Sequence, residues 1–180
     1  MLIKQSLSCL LMIDVQERLL AAMHAPETIL RNCEILLRAA ERMAVPVLVT
    51  EQYPAGLGPT VPRLLAASGG AQRLEKVHFS CFAEPGLRAA IEERSRPQMV
   101  LAGMEAHVCV AQTALDLALA GYDVFVVADA TISRSAANHT AAMARLRDAG
   151  IAIVTAEMVL FEWLGRADSD AFRALMPLIK

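Results

Sequence analysis

Leu7-Ser8-Cys9-Leu10-Leu11-Met12-Ile13-Asp14-Val15-Gln16 is the stretch on which the fold turns. The apolar run from Leu7 to Ile13 has the length of a strand and stops at a carboxylate. It is too short to span a membrane, and no small-residue cleavage site follows it, so it is not a signal peptide. Working outward, comparable short runs recur at Pro46 to Thr50, Leu74 to Val77 (the weakest), Gln98 to Ala102, Val124 to Ala128 and Ile151 to Val154. The segments between them carry helical spacing. Pro26 suits a helix entry, and Ile29, Cys33, Leu36, Leu37, Ala40 and Met43 follow it as one apolar stripe. A second helix is predicted from about His107 to Ala120, ending at Gly121. A third begins after Ser133 or Ser135 and ends at Gly150, and a short one closes the chain from Asp168 or Ser169 through Leu178. Strands alternating with helices are the pattern of a parallel α/β protein. No repeat or linker divides the chain, so residues 1–180 are read as one domain.

Composition narrows the function classes. With 56% hydrophobic and 20% charged residues, the chain has too much apolar material for disorder. Seventeen basic against nineteen acidic residues, without blocks of like charge, argue against a nucleic-acid partner. No apolar run reaches the roughly 18 residues of a spanning helix, so a membrane role is not expected and the predicted location is cytoplasmic. Cys9, Cys33, Cys81 and Cys109 form no CxxC pair and are read as free thiols. So high an apolar fraction also predicts a homo-oligomer, a dimer or higher.

In an open parallel sheet, ligands bind beyond the carboxyl ends of the strands. The residues there are Asp14, Glu51, Gln52, Lys76, Gly103 to Glu105, Asp129 and Thr155. Asp14 is either a helix cap for Val15 to Ala22 or a general base at the rim of the core. Cys109 starts the helix after the fourth strand, where amide groups and the helix dipole favour a thiolate; otherwise it is a small buried hydrophobe. Cys9, Cys33 and Cys81 are read as structural. Lys76 is either an edge-strand gatekeeper or a cation serving a thiol and a carboxylate. Gln52, Tyr53, Phe79 and Glu105 are placed around a small, partly aromatic pocket for a small-molecule substrate. The irregular loop from Gln52 to Pro62 is a further functional candidate. Four scattered histidines without metal-ligand spacing, and no GxGxxG or GxxxxGK[ST], leave no metal or cofactor to assign.

Leu11-Met12-Ile13-Asp14-Val15-Gln16, the lysine near the third strand and Gly103-Met104-Glu105-Ala106-His107-Val108-Cys109-Val110 together resemble the isochorismatase-like cysteine hydrolase superfamily. The loop from Thr50 to Thr60 is similar to its isochorismatase-domain-containing branch. The resemblance implies a three-layer α-β-α, Rossmann-like fold with a six-stranded parallel sheet, and a catalytic triad falling on Asp14, Lys76 and Cys109. It also implies a cis peptide at Met104–Glu105, which would turn the Glu105 N–H, with that of Cys109, toward an oxyanion. Two departures narrow the chemistry. Nicotinamidases of the family hold a metal through Asp-x-His where this chain has Glu51-Gln52-Tyr53, and vinyl-ether hydrolases of the isochorismate type lack a thiol at the position of Cys109. Hydrolysis of an amide, carbamoyl or related acyl compound through a thioester is therefore the expected chemistry. A catalytically quiet scaffold and a redox-responsive thiol protein are the alternatives.

Overall fold

The computed structural model describes residues 1–179. Six strands form one sheet: β1 (Ser8–Ile13), β2 (Val47–Gln52), β3 (Gln72–Lys76), β4 (Gln98–Met104), β5 (Asp123–Ile132) and β6 (Ala152–Val154). Their order is β3-β2-β1-β4-β5-β6, and every neighbouring pair is parallel. β1 is buried along its whole length, which is why it carries no polar alternation. Leu10 and Met12 face one hydrophobic core, and Cys9, Leu11 and Ile13 face the other. The weak signal of β3 has the complementary cause: it is an edge strand whose residues are mostly exposed until Lys76.

The helices that cover the sheet fall on its two sides. The first core takes α2 (Glu27–Arg42), α8 (Ala156–Leu164) and Leu175 of α9 (Asp170–Leu175). The second takes α5 (Pro85–Glu93), α6 (Ala111–Leu119) and α7 (Ala136–Asp148). The predicted stripe on α2 is the buried one, with Ile29, Cys33, Leu36, Leu37 and Ala40 all inside. Three short helices, α1 (Glu17–Leu20), α3 (Pro54–Leu57) and α4 (Pro62–Ala67), complete the fold. Helix α3 lies within the loop expected to be irregular and α4 begins at its last residue, with proline in the first turn of each. Among the described residues no helix is long and apolar enough to cross a membrane.

Between β1 and β4 the strand order reverses, so the loops leaving the two strands diverge and open a crevice at their carboxyl ends. The register pairs Ile13 with Gly103 at this point. Gly103 has φ +135°, and a β-carbon there would lie 2.0 Å from the Ile13 carbonyl oxygen. Only glycine lets the two backbones approach this closely.

Candidate active site

Three turns leave the strands around the crevice with non-glycine residues in the left-handed region: Asp14 after β1 (φ 53°), Tyr53 after β2 (φ 38°) and Glu105 after β4 (φ 55°). Such residues cost on the order of 1–3 kcal/mol each and are retained where the surrounding structure enforces them. Among the described residues every peptide bond is trans, so Met104–Glu105 is not cis. The chain instead turns through the positive φ of Gly103 and Glu105 and then enters a π-helical turn, Ala106–Val110, which carries Cys109 into α6.

Asp14 does not cap a helix. Residue 16, not Asp14, precedes α1, and the Asp14 carboxylate is completely buried in the crevice. Its Oδ1 accepts a 2.6 Å hydrogen bond from Thr50 Oγ1, and its Oδ2 lies 2.7 Å from Lys76 Nζ. That second contact is an ion pair rather than an aligned hydrogen bond, so Oδ2 keeps acceptor capacity. Lys76 is the last residue of β3, and its side chain runs inward with no exposed surface. The ammonium also donates to Gln52 Oε1 at 2.6 Å and to the carbonyls of Phe79 and His78 at 3.2 and 3.3 Å. Burial draws the Lys76 pKa down, but the opposing charge of Asp14, followed by Cys81 and Cys109, leaves it above the ordinary lysine value.

Cys109 is 5% exposed and shares this charged environment. Burial first, then the charge and hydrogen bonding of Asp14, together push its thiol up to about 12 against the opposing pull of Lys76. The thiol therefore favours its protonated form beside the Asp14 carboxylate, where a helix start by itself favours a thiolate. Cys81, read as structural, is buried at the border of the same cluster, 3.9 Å from Thr50 Oγ1. Its thiol is also pushed up to about 12, by burial and then by Asp14.

The predicted pocket residues divide. Gln52 is half-buried and engaged at both ends of its amide, accepting from Lys76 and donating to the Val77 carbonyl at 2.9 Å. Tyr53 and Phe79 are 59% and 54% exposed. Tyr53 lines a cavity of about 220 Å³ with Pro54, Ala55, Glu75, Lys76, Val77 and Glu84. Glu105 is buried beside the turn, its Oε1 held by Arg134 Nε at 2.7 Å, while its Oε2 lies 3.2 Å from His107 Nδ1 without a hydrogen bond. Glu51, at the position where metal-binding relatives were expected to differ, accepts from both the amide and the hydroxyl of Thr60 at 2.8 and 2.7 Å. Asp129 lies inside β5 rather than beyond it, and its Oδ1 accepts from the Ala156 amide at the start of α8.

Two site residues escaped sequence reading. Thr50 could have been found from the alignment of strand ends, because it pairs with Ile13, one residue before Asp14. Gln16 could not, since its work is done by a fully buried side chain that fastens the loop after β2.

With this geometry in view, the similarities to known proteins are specific. The isochorismatase domain family matches residues 8–158. Isochorismatase domain-containing protein 2A of Mus musculus is 37% identical over 175 residues, covering 96% of this chain and 82% of the mouse protein. Among solved structures, one described as the MAR1 ribonuclease from Caenorhabditis elegans superposes with a TM-score of 0.93 at 33% identity, covering 99% of this chain and 92% of that one. The YcaC gene product of Escherichia coli, described as an octameric hydrolase of unknown specificity, superposes with a TM-score of 0.93 at 25% identity, covering 98% and 90%.

Proposed function

The chain belongs to the isochorismatase family, a hydrolase superfamily, and on that premise we propose that it hydrolyses a small amide, carbamoyl or related acyl compound through a thioester on Cys109. The observation that carries this reading is the 2.7 Å ion pair between Asp14 and Lys76, both side chains fully buried, against the Cys109 thiol. A buried ion pair adds little to stability compared with an apolar pair of similar volume. Its retention at the crevice of the sheet therefore favours a chemical role.

In the proposed reaction, the Cys109 thiol gives its proton to Asp14 as its sulfur attacks the substrate carbonyl carbon. The oxygen of the tetrahedral intermediate is held by the backbone N–H groups of Cys109 and of Glu105, the latter aimed in this proposal by the positive-φ turn at Gly103 and Glu105 in place of a cis bond, a contribution on the order of 3–4 kcal/mol per donor. Asp14 then protonates the leaving amine as the C–N bond breaks, leaving a thioester. Water, deprotonated by Asp14, attacks the thioester and releases the acid and the thiol. Lys76 counters the negative charge as the proton moves between sulfur and carboxylate. In this reading Tyr53, which lines the cavity, is the aromatic edge of the substrate pocket, with exposed Phe79 near it through the carbonyl that accepts from Lys76. The near-balanced net charge and the two carboxylates, Glu75 and Glu84, beside Tyr53 give no support to an RNA substrate. We further propose a homo-oligomer, supported by exposed Tyr53, Val77, Phe79 and Leu119 and by the octameric E. coli relative; a monomer in light scattering at micromolar concentration would remove that element.

The test is a panel of small primary amides and carbamates assayed for amine or ammonia release, with rapid-quench mass spectrometry of the intact protein. Cys109→Ala is expected to lower turnover on the order of 10⁴-fold or more, with an unchanged circular dichroism spectrum. The wild type should carry the acyl mass on the peptide containing Cys109. Turnover by Cys109→Ala at the wild-type rate would end the covalent proposal.

A further inference from the structure

Gln52 was expected to contact substrate, and its side-chain hydrogen bonds are made to the protein itself, one to the buried ammonium of Lys76 and one to an exposed carbonyl. The side-chain carbonyl accepts from Lys76 Nζ at 2.6 Å, and the side-chain amino group donates to the Val77 carbonyl at 2.9 Å. The orientation is fixed by chemistry. Rotating the amide by half a turn would set its NH₂ group against an ammonium and its oxygen against a carbonyl. The backbone of the same residue is held by one side chain: Gln16 Oε1 accepts from the Gln52 amide at 2.8 Å, and Gln16 Nε2 donates to the Gln52 carbonyl at 3.1 Å and to the Gly58 carbonyl at 2.6 Å. Gln16 is itself completely buried. A chain of contacts thus runs from the end of β1 through Gln16 and Gln52 to the ammonium on β3.

The partners of that ammonium show what the chain of contacts does. Of the four oxygens around Lys76 Nζ, only Asp14 Oδ2 is charged; Gln52 Oε1 and the two carbonyls are neutral. A neutral acceptor orients an ammonium without cancelling its charge, which leaves that charge to act on Asp14 and Cys109. A carboxylate in the place of Gln52 would divide it.

We propose that Gln52, locked by Gln16, is a positioning residue that holds the Lys76 ammonium against Asp14 and Cys109. It acts through Lys76 and does not touch substrate. The functional weight of this inference rests on the covalent reading above, but its geometry can be tested apart from it.

The chain has three lysines, Lys4, Lys76 and Lys180, so side-chain ¹⁵N labelling of lysine gives a spectrum of very few resonances. The Lys76 signal is assigned by its absence in Lys76→Gln. Hydrogen bonded and buried, its ammonium protons should exchange slowly with water at neutral pH. In Gln52→Met, which keeps length and lacks an acceptor, their exchange should accelerate tenfold or more and the ¹⁵N resonance should move. Gln52→Glu restores an acceptor and should retain slow exchange, while its added charge lowers the rate of Cys109 alkylation by iodoacetamide about tenfold at fixed pH. A Gln52→Met protein with wild-type Lys76 exchange, or a raised KM with both readouts unchanged, would overturn the proposal and return Gln52 to the substrate. If no thioester forms on wild-type Cys109 while the Lys76 signal responds to Gln52→Met, the covalent reading falls and the positioning role stands. If Gln52→Met does not fold, the same decision is read from Gln52→Glu, whose alkylation rate must fall.

Discussion

At the scale of single residues, the state of Cys109 is the point on which the chemistry turns. Burial is the larger influence on its thiol and Asp14 adds to it, so Lys76 offsets only part of the rise to about 12. The proton must therefore leave as sulfur attacks, and Asp14 is the acceptor at hand. A preformed thiolate would alkylate at a rate that levels off below pH 7; this thiol should react faster with each unit of pH through the range 8–10, with no plateau at neutrality. The two charged neighbours should act in opposite directions. Asp14→Asn removes the negative charge and leaves Lys76 facing sulfur alone, so Cys109 alkylation by iodoacetamide should accelerate below pH 9 even as turnover is lost. Lys76→Gln should slow alkylation at every pH by about tenfold, the equivalent of one unit in pKa. Slower alkylation in Asp14→Asn would show that the carboxylate assists the thiol at rest and would contradict this order of influences. Much of this site was legible in the sequence because Asp14, Lys76 and Cys109 each sit at a strand end or just before a helix, which position along the chain reveals. Their ionisation was not legible. A helix start favours a thiolate, while the desolvation that outweighs it depends on residues far away in the chain.

At the scale of elements, strand β4 and the turn after it set the site. The register between β4 and β5 shifts between Leu101 and Gly103, and Gly103 then lies against the backbone of β1. A methyl group at Gly103 meets backbone atoms of Ile13 at 2.0 to 2.8 Å, none of which can rotate away. Gly103→Ala must therefore part β1 from β4 at the point from which Asp14 and Glu105 both depart. The expected cost exceeds about 3 kcal/mol, a fall of roughly 10 °C in Tm for a chain of this size, with loss of turnover. A melting temperature unchanged within a degree would show that the strands separate more easily than their packing implies. The six strands and helices α2, α6 and α7 were readable because long periodic segments and glycine stops mark them. Helix α5 was not read, being nine residues long with only Leu87, Ala90 and Ile91 buried. Nor was α8, which is apolar around most of its circumference: Val159, Leu160 and Trp163 are buried while Met158 and Phe161 are exposed, so no face contrasts with another. Its start is marked by Thr155, whose hydroxyl accepts from the Met158 amide. The side-chain bridges from Gln16 to the loop after β2, and from Arg134 to Glu105, were beyond sequence reading because they join segments dozens of residues apart.

At the scale of the whole molecule, the four thiols lie in the two cores that sandwich the sheet, Cys33 in one and Cys9, Cys81 and Cys109 in the other. Burial raises all four from a reference of 9.0, Cys9 to about 11, Cys81 and Cys109 to about 12, and Cys33 higher still. A raised thiol pKa means that the folded state keeps its proton at a pH where the unfolded chain has lost it. The native state then binds more protons than the unfolded state, so stability is intact below pH 9 and falls as pH rises beyond it. Each thiol contributes a slope of about 1.4 kcal/mol per pH unit once the pH is clear of 9, so four together give on the order of 5 kcal/mol per unit. Lys76 and Tyr122, both raised from references of 10.5 and 10.0, push in the same direction at higher pH. Against a total stability of about 5–15 kcal/mol, this should bring the chain to unfolding between roughly pH 10 and 12. Urea midpoints measured in steps from pH 7.5 to 10.5 should hold level to about pH 8.5 and then drop steeply. Cys33→Ala separates thiol ionisation from general alkaline repulsion, because it removes one buried proton from the far core without touching the crevice. Its slope should be about a quarter shallower than that of the wild type, and an equal slope would assign the alkaline loss to repulsion among surface charges instead.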